Sequence, residues 1–434
     1  MIKKIFYAVF ISLFFFSCSE EYVEEAMGDD PQTAQSSYKV TTEEAQEVVL
    51  NFMNAMEDSK QTRNTGEYSS KEIANVKALR RNTFKTRSGD ENSNIPVDLD
   101  TLMYVVNFSN NNGFALVAAD KRTDPIFAII DEGNYDFDKL NEEENESFLS
   151  FMDGAIATEL EDINQYQGDE ATRTVTNGWD IIIIRYPILK TKWSQGGYNN
   201  PNSYGKYCPN KVTGCTVTAT AQILSHYKTL GHIDWSYNGT SGSTNLNWGR
   251  IISDCEKNNG YLFPTSTPQS MDEIAHLCRY LGIAFGAKYN VDKKNKNKNS
   301  TSVGEDKPVD WFNKWGGLKA TKLKKYDETS IVNAIRLGTP VYARGNSGKK
   351  KFLFVRIKYT GGHAWVYDGC ITATKDGKRQ NLIHCNWGWG GSRNGYYLSN
   401  VFKANVGPEI NDFGTRSGQE NYYQYNLEYS LVTR

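Results

Sequence analysis

A chain of 434 residues with 39% hydrophobic side chains has material for more than one core, which excludes a wholly disordered tether. Its 49 basic and 51 acidic residues leave a formal charge of −2, so no nucleic-acid partner is expected. Seven cysteines show no metal-ligand spacing, no metal is expected, and 26 tyrosines point to a strand-rich fold.

Lys3 and Lys4 precede the apolar run Ile5 to Phe16 and then Ser17-Cys18, the pattern of an export signal over residues 1–17 with a lipoprotein-type cleavage site. The run is too short to span a bilayer comfortably. Cys18 becomes the lipidated first residue, which anchors an exported bacterial protein at the outer membrane or cell surface, with release of a mature domain open. The competing reading, an ordinary signal cut near Ser17, draws on Phe15 in place of the usual aliphatic residue. Residues 18–40, with Glu20-Glu21, Glu24-Glu25 and Asp29-Asp30-Pro31, form an acidic tether.

From Thr41 to Met56 an apolar stripe of Ala45, Val48, Val49, Phe52, Met53 and Met56 predicts a helix capped by Thr42. Two apolar runs, Leu102 to Phe108 and Phe114 to Ala119, flank Asn110-Asn111-Asn112-Gly113 and predict a hairpin. Another strand, Ile126 to Ile130, and an acidic helix, Glu142 to Asp162, complete a small α+β unit over 41–167. The glycine-flanked polar stretch 168–178 is where nicking is expected.

Beyond it the chain resumes with Ile181 to Leu189, and Met271 to Leu281 reads as an amphipathic helix. Strands are expected near Leu318 to Lys324, Pro340 to Arg344 and Tyr422 to Val432. The lysine and asparagine run 292–302 is a solvated loop, and Lys349-Lys350-Lys351 a charged surface turn.

Within this region Gly214-Cys215-Thr216-Val217-Thr218-Ala219-Thr220-Ala221-Gln222-Ile223-Leu224 opens a buried helix with cysteine at its start. There the macrodipole and free backbone N–H groups favour a thiolate and can receive an oxyanion. The three threonines are poor helix formers, so packing must hold the helix. A lone cysteine is more often a buried thiol, so a partner decides.

Five histidines compete to be that partner. His226 and His276 fall on helices and His232 in a loop. His363 follows Gly361-Gly362 and begins an apolar strand whose glycines permit close approach. His384 opens a second aromatic-rich strand and is its rival. Asp368 is an unsuitable orienting carboxylate, because strand alternation turns it away from 363, 365 and 367. Asn386 and Trp387 suit the task in kind: an amide fixes a tautomer, and an indole excludes water.

Gly-Cys-Thr-Val-Thr-Ala-Thr-Ala-Gln at 214–222, Gly-Gly-His-Ala at 361–364 and Asn-Trp-Gly-Trp-Gly-Gly at 386–391 together resemble the three blocks of the streptopain family of papain-like cysteine peptidases. Pro187 to Gln195 resembles the segment that carries the family's oxyanion glutamine. The resemblance implies Cys215 as nucleophile, His363 as general base and acid, Gln195 as oxyanion donor, and Asn386 with Trp387 supporting the histidine. Gly362 and Trp389 are the expected substrate contacts, and His384 is structural. Tyr104 to Gly133 resembles the streptopain-type propeptide, which makes 41–167 an inhibitory prodomain, 168–178 a processing hinge and 179–434 the catalytic domain.

The implied fold is α+β: a papain-like catalytic domain with a helical half and an antiparallel β half, behind a small α+β prodomain. The implied activity is hydrolysis of protein or peptide substrates through a thioester acyl-enzyme, with no cofactor and the chain's own prodomain as inhibitor. The 292–302 run and the glycine-poor Gly407 to Gly414 depart from the family's substrate loop and lid. Disulfides among Cys208, Cys255, Cys278, Cys370 and Cys385 are permitted by export. Rival readings are a papain-like transglutaminase or peptidoglycan amidase, or a surface binding module in which the dyad is idle.

Overall fold

The computed structural model describes residues 38–61, 71–80, 101–138, 146–167, 178–196, 200, 202–289, 300–304, 306–352, 356–402 and 425–434. The export signal, Cys18, residues 168–177 of the hinge, residues 292–299 and Gly407 to Gly414 lie outside the described residues.

The first helix, α1 (Thr42–Gln61), starts on a reciprocal cap. Thr41 Oγ1 accepts from Glu44 N at 3.2 Å and Glu44 Oε2 accepts from Thr41 N at 2.9 Å, so the capping residue is Thr41, one position before the expected Thr42. Its predicted stripe is buried throughout. Strands β1 (Ile73–Arg80), β2 (Thr101–Phe108), β3 (Phe114–Ala118) and β4 (Ile126–Ile130) follow, then α2 (Glu146–Gln165). The β2–β3 hairpin closes where expected: Asn110 and Asn111 take φ of 59° and 57°, and Gly113 takes 96°. A Cβ at Gly113 would lie 1.9 Å from the Ile130 carbonyl oxygen, so only glycine fits.

The second part begins with β5 (Asp180–Arg185) and the cysteine helix α3 (Cys215–Tyr227). A hairpin of β6 (His232–Tyr237) and β7 (Thr240–Asn245), helices α4 (Trp248–Lys257) and α5 (Pro268–Ala284), the short pair β8 (Lys288–Tyr289) and β9 (Thr301–Ser302), and α6 (Lys307–Lys314) make the helical half. Then come β10 (Lys319–Ala320), β11 (Lys324–Lys325), α7 (Glu328–Arg336), β12 (Val341–Phe352), β13 (Arg356–Lys375), β14 (Lys378–Asn386), β15 (Gly395–Leu398) and β16 (Tyr425–Thr433). Lys349 to Lys351 lie inside β12, paired with Tyr359 to Ile357 of β13. The expected surface turn is therefore a strand, because a partner strand overrides the charge of its side chains.

Both parts share one antiparallel sheet in the order β1-β2-β3-β4-β15-β14-β13-β12-β16-β10, with β5 added on β13 and β11 on β16. The joint is β4 on β15, with Ile130 opposite Gly395, Ile129 opposite Tyr396 and Ala128 opposite Tyr397. One face carries a core in which Phe114, Phe127, Phe148 and Phe151 pack with Trp365, Tyr367, Trp387 and Tyr397. The other face joins the α1 stripe to Ile371, Ala373 and Leu382. A third core belongs to the helical half and takes in Ala364 and Val366 of β13. The fold is the expected α+β, with the helical half on one side of β13.

At Gly395 a Cβ would meet Ile129 O at 2.4 Å and Ile130 Cα at 2.7 Å, both backbone atoms that cannot step aside. Gly395→Ala is therefore expected to lower stability by about 1–3 kcal/mol, read from urea unfolding. An unchanged midpoint would mean that the β4–β15 joint yields without cost.

Candidate active site

Cys215 is the first residue of α3, after Gly214 at φ 92° and ψ 146°. A side chain at 214 would be strained by that φ and would press on Thr301, 3.3 Å from its Cγ2. The threonines of this helix are buried, yet several hydroxyls find local partners: Thr218 Oγ1 donates to Gly214 O at 3.2 Å and Thr220 Oγ1 to Thr216 O at 2.7 Å. No disulfide joins the six described cysteines, and Cys215 alone among them is half-buried rather than buried. Burial pushes Cys208 and Cys370 up to about 11 and Cys255 up to about 12, which keeps them as inert thiols.

The Gln195 segment is fastened beside the start of α3. Thr213 N donates to Gln195 O at 2.8 Å, and Gly196 bridges Val212. Ser194 bridges Trp389 on the next strip of chain, and a Cβ at Gly388 would touch Thr218 Cγ2 at 3.3 Å. Three segments distant in sequence thus meet at the first turn of α3.

Sequence reasoning missed the side chain that braces them. Gln222 lies two helical turns beyond Cys215 on the same face and is fully buried. Its Oε1 accepts from Trp193 N at 3.0 Å and from Thr191 Oγ1 at 3.3 Å, and its Nε2 donates to Asn386 Oδ1 at 3.1 Å. The available signal was an amide at a position whose helical neighbours from Thr218 to Ser225 are all small or apolar.

His363 lies on β13, which packs on α3 through Ala364 and Val366. Its ring is buried, and Nε2 meets Trp387 O at 3.0 Å. A carbonyl only accepts, so Nε2 carries the proton and Nδ1 keeps its lone pair. The ring stacks on Trp365 and Trp389 at 5.8 Å each and lies 6.3 Å from Trp387. Burial pulls His363 down to about 4, against a smaller opposing effect of the Trp387 hydrogen bond, so the ring is neutral near neutral pH.

One expected role changes. Asn386 does not orient this ring: Nδ2 donates to Thr191 O at 2.8 Å, and Oδ1 accepts from Gln222 and, at 3.4 Å, from Gly388 N. Its amide is committed to the brace, and the Trp387 backbone carbonyl holds the imidazole instead. The Trp387 indole donates to Tyr397 OH at 3.1 Å and forms one wall of the cage. Of the expected substrate contacts, Gly362 is exposed opposite Asn346 in β12, and Trp389 is half-buried on His363. Asp368 turns away, as strand alternation requires, and accepts from His384. His276 is buried between Tyr207 and Trp235 at 4.0 and 4.7 Å, and His232 is exposed on β6.

Gln222→Ala removes the acceptor of the buried Trp193 N–H and is expected to cost about 1–3 kcal/mol in chemical denaturation. The lowered pKa of His363 favours the folded state fully above about 6.5, its ordinary value, and that contribution is lost as pH falls through about 4. An NMR titration of the intact chain is expected to show the ring protonating near 4; protonation near 6.5 would contradict the burial.

Comparison with known proteins places these residues in context. Residues 193–397 match the Peptidase C10 family and residues 37–156 the Spi protease inhibitor. Streptopain of Streptococcus pyogenes is 26% identical over 351 residues, covering 74% of this chain and 79% of that protein. A thiol protease/hemagglutinin of Porphyromonas gingivalis is 25% identical over 357 residues, covering 74% of this chain and 36% of that protein. A fragment of prointerpain A from Prevotella intermedia superposes with a TM-score of 0.47 at 19% identity, covering 76% of this chain and 94% of that one. Residues 193–397 are thus a Peptidase C10 region, like that of the streptopain cysteine peptidases, and an inhibitor-type propeptide region precedes them.

Proposed function

We propose that this chain is an exported cysteine endopeptidase made as a latent precursor, with Cys215 as nucleophile and His363 as general base and acid. The observation that carries the reading is the place of Cys215: a half-exposed thiol at the first position of a buried helix, with the Gln195 segment laid against that helix start. Helix N–H groups there can stabilise both a thiolate and the oxygen of a tetrahedral intermediate. In the proposed cycle Cys215 Sγ attacks the scissile carbonyl, and the Cys215 N–H and Gln195 amide hold the oxyanion. His363 then protonates the leaving amine and activates the water that cleaves the thioester.

Latency follows from the state of the base. Held near 4 by burial, His363 cannot share charge with a thiolate near neutral pH. Its cage includes Trp365 and Trp387, which belong to the core shared with the Spi-type domain, so removing that domain would admit water and return the ring toward its ordinary range. On this reading residues 41–167 are the inhibitor, 168–178 the processing hinge, 179–434 the catalytic domain, and Cys18 the lipid anchor.

Cys215→Ala is expected to abolish cleavage of a peptide library and labelling by an irreversible thiol reagent. Gln195→Ala is expected to lower turnover about 10²–10³-fold with the label still taken up. Product masses showing acyl transfer or cell-wall amide cleavage instead of peptide hydrolysis would defeat the peptidase reading. For the anchor, Cys18→Ala is expected to move the protein from the membrane fraction to the medium and to end incorporation of a fatty-acid label; unchanged incorporation would refute it.

A further inference from the structure

One buried charge cluster lies outside the proposed catalytic machinery and straddles the two domains. His384, on β14, is 2% exposed. Its Nδ1 meets Asp368 Oδ1 of β13 at 2.6 Å, and its Nε2 meets Asp131 Oδ2 at 2.9 Å. Asp131 follows the last residue of β4 and lies within the Spi-type domain, whereas His384 and Asp368 lie in the peptidase domain. Carboxylates on both ring nitrogens require both to donate, so the ring is an imidazolium. Although burial pulls His384 down, the two carboxylates push it up to about 10, and in return its charge helps hold Asp131 below the usual carboxylate range despite burial.

Lys71 and Lys192 add positive charge near Asp131. The Tyr396 ring meets the imidazole edge-on at 5.0 Å. Glu132, next in the chain, is drawn off by Lys192, Asn259 Nδ2 at 2.8 Å and Tyr261 OH at 3.1 Å. Asp368 Oδ2 is buried without a hydrogen-bond partner, so the Asp368 charge leans on His384. Backbone geometry delivers Asp131 to the ring: Ile130 pairs with Gly395, and Asp131 N donates to Asn394 O at 2.9 Å.

We propose that His384, held from within by Asp368, is a carboxylate-binding site of the peptidase domain whose ligand is Asp131, and that this contact selects and registers the docking strand of the inhibitor domain. The proposal rests on the reading of residues 41–167 as an inhibitor and adds the chemistry by which the peptidase domain recognises it: an aspartate at the end of an antiparallel strand. A one-residue slip of β4 along β15 would place Ile130 or Glu132 at a buried cation, and every side chain of β4 would change face.

The test uses the intact chain carrying Cys215→Ser, so that neither processing nor activity enters the readout. In Asp131→Asn, amide exchange of Ile126–Ile130 and Gly395–Leu398 is expected to rise about a hundredfold, with Val341 to Arg344 of β12 unchanged. Glu132→Gln, whose ion pair is partly exposed, is expected to change exchange less than about tenfold. By NMR the His384 ring is expected to lose its proton at lower pH in Asp131→Asn than in the parent. Unchanged exchange at the joint, acceleration spread equally over all strands, or an unmoved His384 titration would each overturn the proposal. Failure of the peptidase reading would appear instead in the thiol label and the product masses.

Discussion

The state of the whole molecule turns on one burial, that of the His363 imidazole among Trp365, Trp387 and Trp389. This cage is not local to the peptidase domain. Phe151 of the inhibitor domain meets Tyr397 at 4.6 Å, Tyr397 meets Trp387 at 5.3 Å, and Trp387 meets Trp365 at 5.2 Å. Densely packed rings have few ways to adjust by fractions of an ångström, so the environment of the imidazole is tied to whether Phe151 is in place. On the proposed reading, in which His363 is the general base, a domain that keeps this imidazole buried and neutral would lower activity with no residue inserted between it and Cys215.

Around that imidazole the polar groups are organised to position rather than to react. Gln222, Asn386 and Thr191 join the cysteine helix, the Gln195 segment and the end of β14 in one satisfied network. The Thr218 and Thr220 hydroxyls of α3 serve the same purpose at shorter range by returning hydrogen bonds to the preceding turn. A poor helix former becomes acceptable once its hydroxyl has a carbonyl to meet and its methyl a core to fill.

The local features were legible in the chain because their causes are local. The Asn110 to Gly113 turn, the α1 stripe, the α5 helix and the glycine before Cys215 each follow from conformational freedom or periodicity within a few residues. The opposite faces of His363 and Asp368 followed from alternation alone. What stayed hidden depends on partners far along the chain. Asn386 is of the right chemical type to orient an imidazole, and only the fold reveals that Gln222 and Thr191 have already taken its amide. His384 read as a structural histidine, but its second carboxylate lies 253 residues upstream and enters through a strand pairing that no spacing announces. The lysines of β12 read as a turn because charge was weighed without sight of the partner strand.

The shared sheet has a consequence for whatever remains after the inhibitor domain departs. β15 would pass from an interior position to a margin, with the amide and carbonyl groups that had met β4 turned toward solvent. A long bare margin invites foreign strands to add themselves and seeds aggregation. Here it spans only the four residues Gly395–Leu398, and it begins at a glycine with no side chain to contribute to a foreign interface. Brevity at this seam lets the molecule be divided there without leaving a surface prone to polymerise.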